Sequence, residues 1–205
     1  VEMDRWVLDA KDVRARLKKT TKAIIAVHLF GLSADVDGLS APGIPIIEDC
    51  AHATARLSSD RPFGSKGILN VSSFYATKLI AGGEGGIVAS NDEALVDRVR
   101  KARNYCDQEA SAFHLNDKMT DLEAAIVCSQ LEKLNLMLSL REEKARRYDR
   151  LLEELVGCGR MVLPANESGR VWYRYAVRLT GHSASKAAAW MSRRGIHVEE
   201  PVWDL

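Results

Sequence analysis

The chain has 205 residues, 46% of them hydrophobic and 28% charged, with a formal net charge of +1. That length suits one good-sized α/β domain, or one domain with a fragment of a second, and the composition is that of a soluble globular protein with a real core. The near-zero charge offers no field to recruit nucleic acid or a membrane surface, aromatics are scattered rather than interleaved with basic residues, and the apolar runs are far too short to span a bilayer.

In chain order, Asp9 to Lys19 predicts an amphipathic helix, with Val13 and Leu17 four apart and basic residues between them. Ala23 to Val27 is a short apolar run ended by Gly31, and Ile44 to Ile47 is another that leads straight into Glu48 and Asp49. Continuous apolar strands separated by helical segments predict a mostly parallel sheet covered on both faces. Val71 to Tyr75 and Gly86 to Ala89 read as two more strands flanking a glycine-dense loop. From Asn91, a candidate helix cap, the texture turns helical, with Leu95, Val96 and Val99 as the buried face. Thr120 to Leu138 is expected as a second helix with Leu122, Ala125 and Ile126 on one side. Ser139 to Leu155 is expected as a third, striped by Tyr148, Leu151, Leu152 and Leu155. Gly157 and Gly159 break the pattern. Beyond them, a strand from Val171 to Leu179 and a helix from about Ser185 to Arg194, stopped by Gly195, are expected. Residues 1–156 therefore read as one α/β unit and 157–205 as the start of a smaller α+β unit, too little for an independent core.

Cys50, Cys106, Cys128 and Cys158 match no C-x-x-C pair and no zinc spacing. Free thiols in a reducing cytosol are the expected state, with two disulfides as the alternative. The opening residues resemble neither a secretion signal nor a transit peptide, which makes the cytoplasm the expected location. No metal site is expected.

Two stretches carry candidate chemistry. In Ser73-Phe74-Tyr75-Ala76-Thr77-Lys78, a lysine follows an apolar strand and precedes four glycines in the five positions 82–86. A lysine that forms imines needs its neutral form near pH 7, which burial or a positive neighbour supplies. Small and apolar residues surround Lys78, and glycines 82–86 permit positive φ or close approach to a ligand. On spacing alone, Lys78 reads equally as a loop lysine beside a flexible turn. The second stretch, Pro45 to Ala53, ends a strand in Asp49 at the carboxyl edge of the sheet, where open α/β folds bind ligands. A carboxylate there holds a pyridine nitrogen protonated, or else caps the next helix.

Taken together, these stretches resemble the DegT/DnrJ/EryC1/StrS family of nucleotide-sugar aminotransferases. The matching wording runs through Val27 to Gly31, Ala34-Asp35, Ile44 to Ala53, Phe63-Gly64-Ser65, Ser73 to Lys78 and Gly82 to Gly86. It continues through Arg103-Asn104-Tyr105, Asn116 to Ala125 and Gln130-Leu131. The resemblance implies the aspartate-aminotransferase-like architecture (fold type I) and pyridoxal 5'-phosphate as cofactor. It implies a nucleotide-sugar substrate, glutamate as amino donor, and a homodimer with helix on helix around residues 91–138. By the same resemblance Lys78 carries the cofactor and shuttles the proton, and Asp49 pairs with the pyridine nitrogen. His52 lies near the ring and its 3-hydroxyl, Ser73 binds the cofactor phosphate, and Asn116 reaches the phosphate of the neighbouring subunit. His28 opens a family motif in which a structural role is as fitting. His114, His182 and His197 match nothing catalytic.

The departures also carry expectations. Family members have a longer N-terminal segment with further phosphate donors and a ring-stacking aromatic, and a fuller small domain. Asp117 and Lys118 stand where an aromatic and an arginine are usual. Little or no amino transfer is expected from the chain as it stands. The alternative is an aminotransferase-like protein that folds or assembles without turnover. Sugar dehydratases on the same scaffold carry histidine in place of the lysine, so Lys78 argues against that activity.

Overall fold

The computed structural model describes residues 1–2, 5–54, 64–104 and 115–200. The four early apolar runs form one sheet in the order β1-β2-β3-β4: β1 Ile24–Val27, β2 Ile46–Asp49, β3 Leu69–Ser73 and β4 Gly86–Ala89. β1, β2 and β3 run parallel, and β4 returns antiparallel to β3. α1 (Ala10–Arg16) and α2 (Val36–Leu39) precede and follow β1. They cover one face of the sheet through a core of Val7, Ile24, Ala26, Val36, Leu39 and Ile46. Parallel strands need such crossovers, and each crossover brings the chain back to the same carboxyl edge.

That edge is held by a second core: Phe74, Leu79, Ile80, Val127, Leu134 and Val171. Val127 comes from α4 (Asp121–Glu132) and Leu134 from α5 (Leu134–Gly157). α4 starts on a capping box in which Thr120 and Glu123 satisfy each other's amides. Beyond α5, β5 (Met161–Val162) and β6 (Arg178–Leu179) pair antiparallel, and α6 (Ala184–Ser192) is capped by the Ser183 side chain.

Several expectations need correction. α3 (Glu93–Arg103) is capped by Asp92, not Asn91, because the Asp92 side chain takes the amides of Ala94 and Leu95. The break between α4 and α5 falls at Lys133 rather than at Ser139. The Ser139 hydroxyl instead bonds back to the Leu136 carbonyl inside α5. Leu122, 73% exposed, and Ile126 face outward, because α4 turns Val127 toward the Gly82 loop. Tyr148 and Leu151 of α5 are exposed as well, while Leu152 and Leu155 are half-buried.

The strand expected over Val171 to Leu179 survives only as Arg178–Leu179. Val171, Trp172 and Tyr173 are consecutively buried, which no alternating strand permits. Their backbone groups find partners without a ladder. The Val171 amide donates to Gly31 O (2.9 Å), and the Arg141 guanidinium donates to the carbonyls of Trp172 (3.0 Å) and Tyr173 (3.1 Å). Gly31 is obligatory at this crossing. It sits at φ +79°, and a Cβ there would lie 1.6 Å from Val171 O. Cys50, Cys128 and Cys158 are free thiols, while Cys106 lies outside the described residues, as do His114, Phe63 and Tyr105. Among the described residues no helix is long and apolar enough to cross a membrane.

Candidate active site

Lys78 is placed by its neighbours. The chain leaves β3 at Ser73 and buries Phe74. It then turns through Tyr75 to Lys78, with the Lys78 amide donating to Tyr75 O at 2.8 Å, and buries Leu79 and Ile80. Burying a leucine and an isoleucine side chain is worth about 1.5–3 kcal/mol each, so the lysine between them and the turn is firmly seated. The glycine loop closes the same knot: the Gly82 amide donates to Phe74 O, and the Phe74 amide donates to Gly85 O. The expectation that these glycines make room for a ligand needs adjustment. A Cβ at Gly82 would meet Val127, at Gly85 Met119 and at Gly86 the Ser72 carbonyl, so these three admit protein; only Gly83 faces open space.

Asp49 closes β2 and Ser73 closes β3, on adjacent strands paired Asp49 to Val71. One Asp49 carboxylate oxygen accepts the Ala51 amide at 2.9 Å. This local turn swings His52 back over the edge. His52 stacks on the Tyr173 ring at 4.2 Å and on Phe30 at 5.9 Å, with Trp6 edge-on to Phe30 beyond. The Lys78 ammonium lies 5.3 Å from the centre of the same Tyr173 ring. Burial, and next the charge of Lys78, pull His52 down to about 4, with Arg174 adding to the effect and Asp49 opposing it. His52 is therefore neutral at neutral pH. Its Nδ1 faces the Phe30 amide at 3.4 Å, which leaves the proton on Nε2 and makes that nitrogen a donor. Phe30 holds this amide in a left-handed conformation, φ +52°, rare for a side chain of its size.

Ser73 is half-buried, and its hydroxyl oxygen accepts the Tyr75 amide at 3.3 Å. Asn116 stands apart. It is exposed, on a segment tied to the end of α3 through the Leu115 and Asp117 amides, and no hydrogen bond within the described residues links its side chain to the other four candidates. The structure thus gathers Asp49, His52, Ser73 and Lys78 at one edge and leaves Asn116 outside.

Behind the edge lies a buried hydrogen-bonded pair. His28 (1% exposed) sets its Nε2 2.9 Å from the Glu48 carboxylate (2% exposed), and its Nδ1 accepts the Ala34 amide at 3.1 Å. Glu48 also accepts the amides of Gly64 (3.1 Å), Lys66 (2.7 Å) and Gly67 (2.6 Å). Burial alone would raise its carboxyl, but the bonds from His28, Gly67 and Lys66 more than offset it and hold it at about 2. The structural role open to His28 in the sequence is the one the geometry gives it.

Residues 1–199 match the model of the DegT/DnrJ/EryC1/StrS aminotransferase family. The chain belongs to this family. It is 33% identical to the spore coat polysaccharide biosynthesis protein SpsC of Bacillus subtilis (strain 168), over 84% of this chain and 49% of SpsC. It is 30% identical to the GDP-perosamine synthase of Vibrio cholerae, over 72% of this chain and 43% of that protein. Among solved structures, the aminotransferase TlmJ from Streptoalloteichus hindustanus superposes with a TM-score of 0.83 at 28% identity, covering 92% of this chain and 54% of TlmJ. DesV of S. venezuelae, solved with a ketimine intermediate, gives 0.81 at 28% identity, covering 94% of this chain and 53% of DesV. The chain thus spans about half the length of the relatives it matches. The mixed, mostly parallel sheet and its covering helices are the fold type I architecture of the family.

Tyr173 and Phe30 are site residues with no role expected from the sequence. The signal for Phe30 was the adjacent Gly31. Tyr173 was hidden by the period-two pattern that made its segment look like a strand.

Proposed function

We propose that the protein is a pyridoxal 5'-phosphate-dependent aminotransferase that moves an amino group from glutamate to a keto group of a nucleotide-activated sugar. The observation that carries this reading is the convergence of Asp49, His52 and Lys78 at the carboxyl edge of β2 and β3. The donor set fits the cofactor. Asp49 has a carboxylate oxygen not used by Ala51 to hold a protonated ring nitrogen, His52 offers an Nε2–H to the ring's oxygen, and Ser73 offers a hydroxyl to the phosphate. When bound, the cofactor supplies an electron sink. The chain's own residues do the rest. Lys78 would hold the cofactor covalently and carry the proton between the cofactor carbon and the substrate carbon, while the buried rings of Phe30 and Tyr173 keep His52 in place and exclude water. In this reading residues 1–156 bind the cofactor and 157–205 begin the smaller unit, whose Tyr173 covers the edge.

The test is transfer from glutamate to a keto-sugar nucleotide by the wild-type chain and by Asp49→Asn. The asparagine keeps the shape and loses the charge, so any turnover the wild type has should fall roughly a hundredfold or more while the melting temperature hardly moves. Unaltered turnover would make Asp49 only the turn-former that its bond to Ala51 describes. A wild-type chain that neither binds cofactor nor turns over would leave the alternative, a protein that folds or assembles without catalysis.

We further infer a homodimer. The outward stripe of Leu122 and Ile126 on α4 is apolar surface of the kind subunit contacts cover. Asn116, exposed beside it in sequence, is then free to serve a neighbouring subunit's phosphate site. Sedimentation should show a dimer at micromolar concentration, and Leu122→Glu should shift it to monomer. A clean monomer for the wild type would remove the dimer from this reading.

A further inference from the structure

The mouth of the site carries a cation that the reaction chemistry described above does not use. Arg174 follows Tyr173 directly, is 47% exposed, and places its guanidinium 5.5 Å from the centre of the Tyr173 ring. The same ring receives Lys78 at 5.3 Å and His52 at 4.2 Å. Two cations therefore border one aromatic ring beside a neutral histidine, with Asp49 as the acidic group acting on that histidine. Once Asp49 is matched to the protonated ring of the cofactor, Lys78 and Arg174 remain as the cations beside this ring. Among the described residues Arg174 has one charged partner of its own, the carboxylate of Glu199, also exposed, at 3.3 Å. His197 donates to that carboxylate from the other side. A single long contact between two exposed side chains contributes little and exchanges readily for a better-placed anion.

We propose that Arg174 is the anion-recognising, specificity-determining residue of this site, and that Glu199 occupies its guanidinium in the place of a ligand's anionic group. Arginine suits the task, since its planar fork matches the oxygens of a carboxylate or a phosphate. Under the aminotransferase reading, on which this inference rests, two ligands bring such oxygens: the distal carboxylate of the amino donor and the diphosphate of the sugar nucleotide. Both offer the same chemistry at the same mouth.

The experiment is calorimetric titration of the cofactor-treated full chain with glutarate and, separately, with pyrophosphate, at low ionic strength. Arg174→Gln should weaken at least one probe tenfold or more, and Arg174→Lys, which keeps the charge without the fork, should lie between. Glu199→Gln should act in the opposite direction and tighten the same probe severalfold, because the competing carboxylate is gone. The probe affected names the source: glutarate the amino donor, pyrophosphate the nucleotide. Arg174→Gln leaving both affinities within twofold would overturn the proposal. So would Glu199→Gln that fails to tighten either. The opposite signs also separate recognition from damage, since a merely structural loss weakens binding in both variants. Cofactor uptake, read by visible absorbance in the same samples, judges the aminotransferase reading separately. Failure there sinks that reading, while the titrations still report on Arg174.

Discussion

Lys78→Ala is expected to abolish the visible absorbance of the protein mixed with pyridoxal phosphate, and with it all amino transfer. Borohydride treatment of the wild type should place the reduced label on the peptide containing Lys78 and on no other. The expectation rests on where the chain holds this amine. Leu79 and Ile80 are buried beside it, the Tyr75 turn fixes its backbone, and its ammonium faces the Tyr173 ring at the edge shared by Asp49 and His52. Among the described residues no other lysine follows a strand end into that edge. The variant should fold normally, because the Lys78 side chain contributes only the ring contact, worth about 0.5–1 kcal/mol at a partly exposed position. A second readout needs no cofactor. The Lys78 charge is, after burial, the next cause holding His52 down at about 4. Removing it should raise the His52 midpoint part of the way toward its ordinary value, as followed by the imidazole resonances. A label on a different lysine, or a His52 midpoint that does not move, would take Lys78 out of the site.

Much of this was legible in the sequence because local rules and tertiary need agreed. The runs Ile24–Val27 and Ile46–Asp49 are strands by composition and by burial, and Asp49 stands at the strand end that the hydrophobic run itself defines. Lys78 was legible through the family wording around it, since on spacing alone it reads equally as a loop lysine: Leu79 and Ile80 after it are buried, but Tyr75 to Thr77 before it are exposed. What escaped was set by distant partners. The stretch from Val171 to Tyr175 has the period of a strand, yet Arg141, some thirty residues earlier, and Gly31 take its backbone groups. Tyr173 enters the site only because of them. The outward face of α4 escaped because apolar spacing shows that a stripe exists but not what covers it: Leu122 and Ile126 satisfy the helical period and still face away from this chain's core. Glu48 was masked by its neighbour. In Glu48-Asp49 two carboxylates are adjacent on one strand, so they point to opposite faces, and in the sequence the one at the ligand edge draws the functional expectation.

That other carboxylate sets the largest expected loss of stability. Glu48 gathers a proton from His28 and three amides from the segment that leads into β3, so it ties the exit of β1 to the entry of β3 across β2. Every partner is a donor. A glutamine at this position must turn its own NH₂ toward either His28 or the Lys66 and Gly67 amides, setting donor against donor in a dry interior. An ordinary carboxyl at 4.5 held at about 2 in the fold corresponds to about 3 kcal/mol of stability at neutral pH. Glu48→Gln should lose about that much, lowering Tm by roughly 6–12 °C for a chain of this size. The pH dependence gives the sign. Because the folded value lies below the unfolded one, the contribution is complete above about 4.5 and fades as pH falls from there toward 2. Urea unfolding of wild type and variant should therefore differ by about 3 kcal/mol at pH 7, and by roughly half that at pH 3. His28→Gln, whose amide can donate to Glu48 and accept from Ala34, should be far milder than His28→Ala. A gap between wild type and Glu48→Gln that stays constant with pH would show that the charge is not what the clamp uses. A variant as stable as the wild type at pH 7 would show that there is no clamp.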